Sequence, residues 1–297
     1  MPRLRGAKSS RVIASTASRD QILALMREQL DVIRAKESGT RIGLDPEELR
    51  QMRAAVRRLR AILGAVRDMF DPKWVAALRS ELDWLGTVLG DRRDLDVLRE
   101  YLGTELASLK PAARVAADLL DLVDAQRARA SSAILAVLEG GRYEKLLSRL
   151  ELAVQRPKVV AVDLSLSAVA AEQFKKLRKA VKALPGEPSD SDLHAVRIRL
   201  KRARYAAELA QPIVGRRAER FVARTKKLLD ILGEYQDAVV VEERLRSLVD
   251  GDHQRGMRLL ANRFIGRQRG RREAAQMDFF ERWPKLKRRG HKTWKRQ

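Results

Sequence analysis

The chain contains the same basic helical pattern twice, 144 residues apart. In each copy the cations follow one another at intervals of three, four and three residues, which places them on one stripe of an α-helix. The two stripes consist of Arg50, Arg53, Arg57, Arg60 and of His194, Arg197, Lys201, Arg204. A repeat of this period is far longer than a solenoid unit, so it indicates one small helical domain that is present twice.

An apolar stripe accompanies the first basic one. Leu49, Met52, Val56 and Leu59 also recur at intervals of three and four residues, so the helix can bury this side and hold its cations at a fixed angle to the core. Like charges at such spacing repel each other. A solvated face would explain one stripe of this kind, but two stripes in the same register favour a compensating anion.

Composition limits the kind of anion. The chain has 62 Lys and Arg against 39 Asp and Glu, a net charge of +23, which makes polyanions the leading class of partner. Only 5% of the residues are aromatic, so few side chains could stack on the bases of a single-stranded nucleic acid. The absence of cysteine excludes disulfides, cysteine-bound metals and thiol catalysis. No apolar stretch approaches the roughly 18 residues of a membrane span, and we expect a cytoplasmic protein.

Helical periodicity runs through the chain, and strand signals are scarce. We expect an all-α fold of two similar halves with the following parts: a flexible basic leader over 1–17, a first bundle over 18–155, a linker over 156–167, a second bundle over 168–280 and a basic tail over 281–297. Asp45 and Ser189 are expected to cap the two basic helices. Gly90 and Gly233 each follow a leucine where the third helix of each half is expected to end. The last helix is expected to end near Gln276.

Acidic residues also recur near these glycines, and they are the candidates for any catalytic role: Asp91, Asp94, Asp96, Glu234 and Asp237. Carboxylates in such positions usually cap helices or pair with arginine on a neighbouring helix. No glycine-rich phosphate-binding loop of the GxxxxGK[ST] type is present. We therefore expect a structural role for these acids and no enzymatic activity.

At the basic segments the sequence resembles the CHAD family, a helical domain named for its histidines. The resemblance spans about residues 18–280, and three segments carry it: 52–60, 92–98 and 201–209. It implies an all-α fold of two homologous antiparallel helical bundles, about four main helices each, related by pseudo-two-fold symmetry. It also implies that the basic helices line a shared groove that binds inorganic polyphosphate, and that the protein associates with polyphosphate granules.

The resemblance assigns the phosphate contacts position by position. The expected primary set is Arg50, Arg53, Arg57, Arg60, His194, Arg197, Lys201 and Arg204. A secondary set could widen the positive field: Arg58, Arg202, Lys226, Lys227, Arg216, Arg217 and Arg220.

One position departs from the family pattern. Where the family has a histidine in its first repeat this chain has Arg50, whereas His194 is kept in the second. A guanidinium has no lone pair for a metal, so we expect neither a metal nor another cofactor. Arginine remains a good partner for phosphate oxygens. Two alternatives stay open, namely nucleic-acid binding through the same surface and metal-dependent hydrolysis of phosphate polymers.

Overall fold

The computed structural model describes residues 5–106, 113–160, 165–250 and 255–294, with side chains from Arg19 onward. Within these ranges the chain forms nine α-helices, which confirms the all-α prediction. They are α1 (Arg5–Ile42), α2 (Pro46–Ala65), α3 (Pro72–Leu106), α4 (Ala113–Leu138), α5 (Gly141–Gln155), α6 (Leu166–Lys182), α7 (Asp190–Val214), α8 (Arg216–Val249) and α9 (Arg255–Thr293). None of the helices in the described ranges has an apolar stretch long enough to cross a bilayer.

The two basic helices, α2 and α7, begin at the predicted caps. The Asp45 carboxylate accepts a hydrogen bond from the backbone N–H of Glu47 at 2.8 Å, and Pro46 opens the first turn. Ser189 and Asp192 form a reciprocal capping box at the start of α7. Each cap satisfies backbone donors that the first helical turn leaves free.

The helices form two bundles related by a pseudo-two-fold axis. In the first half α1, α2, α3 and α4 pack on one another in sequence, and α6, α7, α8 and α9 do the same in the second half. The additional helix α5 packs on α1 and α3. Between the halves, α2 packs on α7 and α3 packs on α8, so equivalent helices meet. Such pairing of like with like is what a two-fold relation between the halves requires.

The hydrophobic core is continuous between the halves. Ala206 and Leu209 of α7 are buried in the core of the first half. Leu98 of α3 shares another buried cluster with Leu245 of α8. Close packing of this kind leaves little freedom for one half to shift against the other. The side chains of α2 are therefore held in a fixed position relative to those of α7.

The connection between the halves joins α5 to α6. Helix α5 ends at Gln155 and α6 begins at Leu166. The short β-like run forms one isolated bridge, between Val159 and Phe70. Residues 161–164 of this linker lie outside the described ranges.

The first helix differs from the prediction at its start. Helix α1 begins at Arg5 instead of after Ser18, so the predicted flexible leader is wrong for residues 5–17. Between Arg5 and Ser18 the sequence contains no proline, and its one glycine, Gly6, lies in the first turn, so nothing in it stops a helix. Residues 1–4 of the predicted leader lie outside the described ranges.

The last helix also differs from the prediction. Helix α9 continues past Gln276 and through Pro284 to Thr293. Leu286 is buried in the core of the second half, and Trp294 packs against it. The predicted separation of a basic tail from the bundle is therefore wrong over residues 281–294, because a few apolar side chains anchor this highly charged segment. Residues 295–297 lie outside the described part of the chain.

Candidate functional site

The basic stripes of α2 and α7 face a common surface. Five cations, three of them from the second half of the chain, interact electrostatically there, and we call them the central cluster: Arg53, Arg57, Arg197, Lys201 and Arg204. Their charges oppose one another across the contact between α2 and α7. The structure thus brings together five of the eight residues in the predicted primary set.

Two glycines make room for the arginines of this cluster. The Nη2 atom of Arg53 lies 3.5 Å from the position that a Cβ atom would take on Gly90, and Nη2 of Arg197 lies 3.7 Å from the same position on Gly233. Both glycines are inside helices, α3 and α8, so the prediction that they end a helix is wrong. Each glycine lies against a guanidinium from a neighbouring helix, at a distance where a methyl group would make an ordinary contact.

Carboxylates balance only part of the positive charge. Arg53 lies 3.9 Å from Asp94, and Arg204 lies 3.5 Å from Glu208. Neither Arg57 nor Lys201 has an ion pair with a carboxylate among the described residues.

The pKa values in the cluster reflect this imbalance. Burial and, to a smaller extent, the positive charges of the neighbouring arginines together lower the pKa of Lys201 to about 6. Burial and the neighbouring arginines also lower the pKa of Arg57 to about 10. Such shifts mean that the free protein carries a positive potential at this surface that its own acids do not cancel.

Burial also shifts the pKa of the acid next to Arg53, and it acts against the charged form there as well. Burial raises the pKa of the Asp94 carboxyl, and the positive charges of Arg53 and Arg244 oppose that rise. Asp237 of α8 acts on Arg197 and partly offsets the effect of burial, which lowers the pKa of that guanidinium. Asp94 and Asp237 thus flank Arg53 and Arg197 in equivalent positions of the two halves.

Three arginines of the cluster have buried donors without an acceptor. The Nε atoms of Arg53, Arg197 and Arg204 are buried and have no hydrogen-bond partner among the described residues. Most buried donors in folded proteins are paired, so an unpaired donor calls for an explanation. Oxygen atoms of a bound anion would supply the missing acceptors.

The two residues at the start of the stripes are held by local partners. Arg50 forms a forked ion pair with Glu47 one turn earlier in α2. His194 is exposed, and its Nδ1 atom lies 2.6 Å from Oε1 of Gln236. Among the described residues no three His, Asp or Glu side chains stand close enough to hold a metal ion.

Arg60, the last residue of the first stripe, turns away from the central cluster. Its guanidinium pairs with Asp83 of α3 at 2.5 Å, and its charge acts on Arg202. Arg58 donates to Gln29 of α1 at 3.4 Å and so faces a different side of α2, as its helical phase predicts.

The remaining secondary cations lie on α8. All five are exposed and occupy the N-terminal part of this helix, before Gly233: Arg216, Arg217, Arg220, Lys226 and Lys227. The central cluster instead faces the segment of α8 that includes Gly233 and Asp237. Their contribution to binding stays a prediction.

Three of the five candidate acids lie beside an arginine of a neighbouring helix. Asp91 accepts from Arg244 of α8 at 3.2 Å, and Asp96 accepts from Arg127 of α4 at 3.0 Å. With the Arg53–Asp94 contact, these are the arginine contacts that the sequence predicts for the three acids of α3. Glu234 has no ion pair among the described residues.

Arg244 is a residue that sequence reasoning missed. Besides pairing with Asp91 it acts electrostatically on Asp94, which contacts the central cluster. It lies outside the repeated stripes, so the duplication gave no signal for it.

Comparison with protein families identifies the chain. A family model described as the CHAD domain matches residues 24–246. The chain belongs to the CHAD domain family. The match includes both basic helices and both glycine segments, so the central cluster is formed by residues of the CHAD domain itself.

Two solved structures share the fold of this CHAD domain. The CHAD domain from the plant Ricinus communis is 26% identical and superposes with a TM-score of 0.70, covering 90% of each chain. PptA from Streptomyces chartreusis is 22% identical with a TM-score of 0.72, covering 89% of this chain and 98% of that one, and this likeness shows the fold alone.

Two curated relatives come from Mycobacterium tuberculosis. The uncharacterized proteins Rv2226 and MT2285 are each 28% identical to it in an alignment 261 residues long that covers 81% of this chain. The chain spans about half the length of these relatives.

Proposed function

We propose that this CHAD domain binds inorganic polyphosphate in a groove between α2 and α7 and does not alter it chemically. The observation that carries the proposal is the central cluster, in which cations from both halves meet on one surface and three buried Nε donors lack an acceptor. The resemblance of the basic segments to the CHAD family points to the same ligand.

The chemistry of the cluster suits a phosphate polymer. Such a polymer is a flexible row of anionic oxygens without bases, so it needs donors at intervals along a rigid support. The cations that α7 contributes to the cluster, from Arg197 to Arg204, would extend about 10 Å along the helix, enough to meet more than one consecutive phosphate. A hydrogen bond between charged partners contributes about 1.5–3 kcal/mol, so a few of them would give tight binding. Because bound cations release counterions from the polymer, affinity should fall steeply with salt.

Nucleic acid is the weaker candidate for this surface. Readers of single strands stack bases on exposed aromatic rings. Tyr205 is the aromatic residue beside the cluster, and it is buried, with 7% of its surface exposed. The Arg204 guanidinium lies over its ring at 4.7 Å, so the ring is not free to stack on a base.

The acids around the cluster favour binding over catalysis. Metal-dependent hydrolysis of a phosphate polymer would require free carboxylates near the phosphates. Asp94 and Asp91 are instead placed beside Arg53 and Arg244. We therefore propose a binding module, located in the cytoplasm and at polyphosphate granules.

A competition titration tests this proposal. Fluorescent polyphosphate is bound to the protein, and unlabelled polyphosphate, duplex DNA or single-stranded RNA is added at equal phosphate concentration. We expect only polyphosphate to displace the probe efficiently. Equal displacement by a nucleic acid would contradict the preference, and turnover of polyphosphate with Mg²⁺ or Mn²⁺ would contradict the non-enzymatic role.

A further inference from the structure

A second group of arginines lies beside the central cluster, at the end of α2. It includes Arg202, which sequence reasoning placed in the secondary set, and the charges of the other members act on Arg202. We call this group the flank cluster: Arg60, Arg67, Arg79, Arg199 and Arg202. Like the central cluster it combines both halves of the chain, because Arg199 and Arg202 belong to α7.

Carboxylates neutralise only two of these arginines. Arg60 pairs with Asp83, and Arg67 pairs with its exposed neighbour Asp68 at 3.3 Å. In the described part of the chain the other three members, Arg79, Arg199 and Arg202, have no carboxylate ion pair and donate no hydrogen bond to a side chain or carbonyl. Three uncompensated positive charges are thus held next to one another.

Arg79 is fixed in this cluster by packing. Its guanidinium carbon lies 3.4 Å from the position that a Cβ atom would take on Gly64 of α2, the same close approach that Arg53 makes to Gly90. The Nε atom of Arg79 is buried and has no hydrogen-bond partner among the described residues. The flank cluster therefore repeats two features of the central cluster, an arginine seated on a glycine and a buried donor without an acceptor.

The two clusters are adjacent along both helices. Arg57 and Arg60 follow each other on the stripe of α2, about 4.5 Å apart along the helix axis. Lys201 and Arg202 are neighbours in α7, but their side chains point about 100° apart. An anion that continues from the central cluster to the flank cluster must therefore bend around α7. A polyphosphate chain is flexible enough to do so, whereas a duplex is stiff over this distance.

We propose that the flank cluster is a second anion site that binds a further segment of the same polyphosphate chain and so makes the domain select long chains over short ones. The inference rests on the proposed function. A chain that reaches both clusters gains the second set of contacts at a high effective concentration, whereas a short chain gains the contacts of one cluster only.

Titration with two ligand lengths tests the inference. The ligands are tripolyphosphate and a chain of about twenty phosphates, and the wild type should bind the longer chain at least about tenfold more tightly. Arg199→Gln combined with Arg202→Gln should remove most of this preference and leave the affinity for tripolyphosphate within about twofold of the wild type. Neither arginine donates a side-chain hydrogen bond among the described residues, so the variant should fold.

Three further variants separate the possible results. Arg79→Gln, on a different helix, should reduce the preference for the long chain in the same way. Arg263→Gln with Arg288→Gln removes two exposed charges of α9 and should leave the preference unchanged. Arg57→Gln should weaken binding of both ligands.

The outcomes are distinct for the two proposals. If the flank variants keep the wild-type preference for long chains, the flank cluster is not a second site, although the central site stands. If the wild type binds neither ligand, the proposed function itself fails.

Discussion

In the proposed polyphosphate site, Lys201 should make binding depend on pH, and one substitution should remove that dependence. With a pKa of about 6, far below the ordinary 10.5, the amine is mostly neutral at pH 7–8 in the free protein. A bound polyanion favours the charged form, so binding should draw a proton onto Lys201. Above pH 6 the complex holds more protons than the free protein does. The affinity for polyphosphate should therefore rise as the pH falls toward 6.

The magnitude follows from the pKa. Each pH unit above the pKa adds about 1.4 kcal/mol to the free energy of charging the amine, or about tenfold in affinity. The affinity of the wild type should therefore increase by up to about tenfold from pH 8 to pH 7 and level off below pH 6. The surrounding arginines remain protonated throughout this range.

Lys201→Arg isolates this effect. The equivalent residue of the first half is Arg57, so a guanidinium fits this position of the repeat. Because arginine stays charged, the variant should bind about tenfold or more tightly than the wild type at pH 8 and lose the pH dependence. Calorimetry in two buffers of different ionisation enthalpy measures the proton uptake on binding directly. After subtraction of the protons that the ligand itself exchanges, we expect uptake of close to one proton by the wild type at pH 7.5 and of none by the variant. Equal proton uptake by both proteins would refute this account of Lys201.

Three further predictions concern packing and charge. Arg57→Gln should raise the melting temperature of the free protein, because it removes a cation whose neighbours are cations, while it weakens polyphosphate binding; a lower melting temperature would contradict this. Gly90→Ala should keep polyphosphate affinity, because its Cβ atom would make an ordinary contact with Arg53 at 3.5 Å. Gly90→Leu should displace that guanidinium and weaken binding. Equal affinities of the two variants would show that the contact between Arg53 and residue 90 does not matter for binding. Gly290→Ala should destabilise the fold by about 1–3 kcal/mol in urea unfolding, because its Cβ atom would lie 2.1 Å from the Phe174 ring. The control Gly266→Ala, on the same helix, should not, because its Cβ atom meets no atom within 4 Å. No loss of stability in Gly290→Ala would argue against the packing of the end of α9.

The sequence was sufficient to predict the all-helical class and the five members of the central cluster, but not every helix boundary. Duplicated spacing of three and four residues determines which side chains share a helix face, and Arg53, Arg57, Arg197 and Lys201 do meet as that spacing predicts. The resemblance to the CHAD family, which the family match confirms, implied that the two basic helices lie side by side. The packing of α2 on α7 bears this out.

Two features could not be predicted because they depend on a neighbouring helix. Glycine favours both helix ends and close approaches, and only the position of Arg53 on α2 shows that Gly90 serves the second purpose. Helical phase places Arg60 on the basic stripe, but Asp83 of α3 decides where its side chain turns. The sequence does not predict the end of α9 for a different reason. Its many charges outnumber the few apolar residues, Leu286 among them, that pack it into the core.

The most direct test of the central claim is a charge-reversal titration. Arg53→Glu with Arg197→Glu reverses two charges where α2 and α7 meet, and Arg263→Glu with Arg288→Glu makes the same change in net charge on α9. Polyphosphate affinity is measured for both variants at the same ionic strength, with circular dichroism to establish that each is folded. We predict that the first variant loses most of its affinity and that the second stays close to the wild type. Equal losses in the two folded variants would show that charge acts only in bulk and would contradict a binding site between the two basic helices.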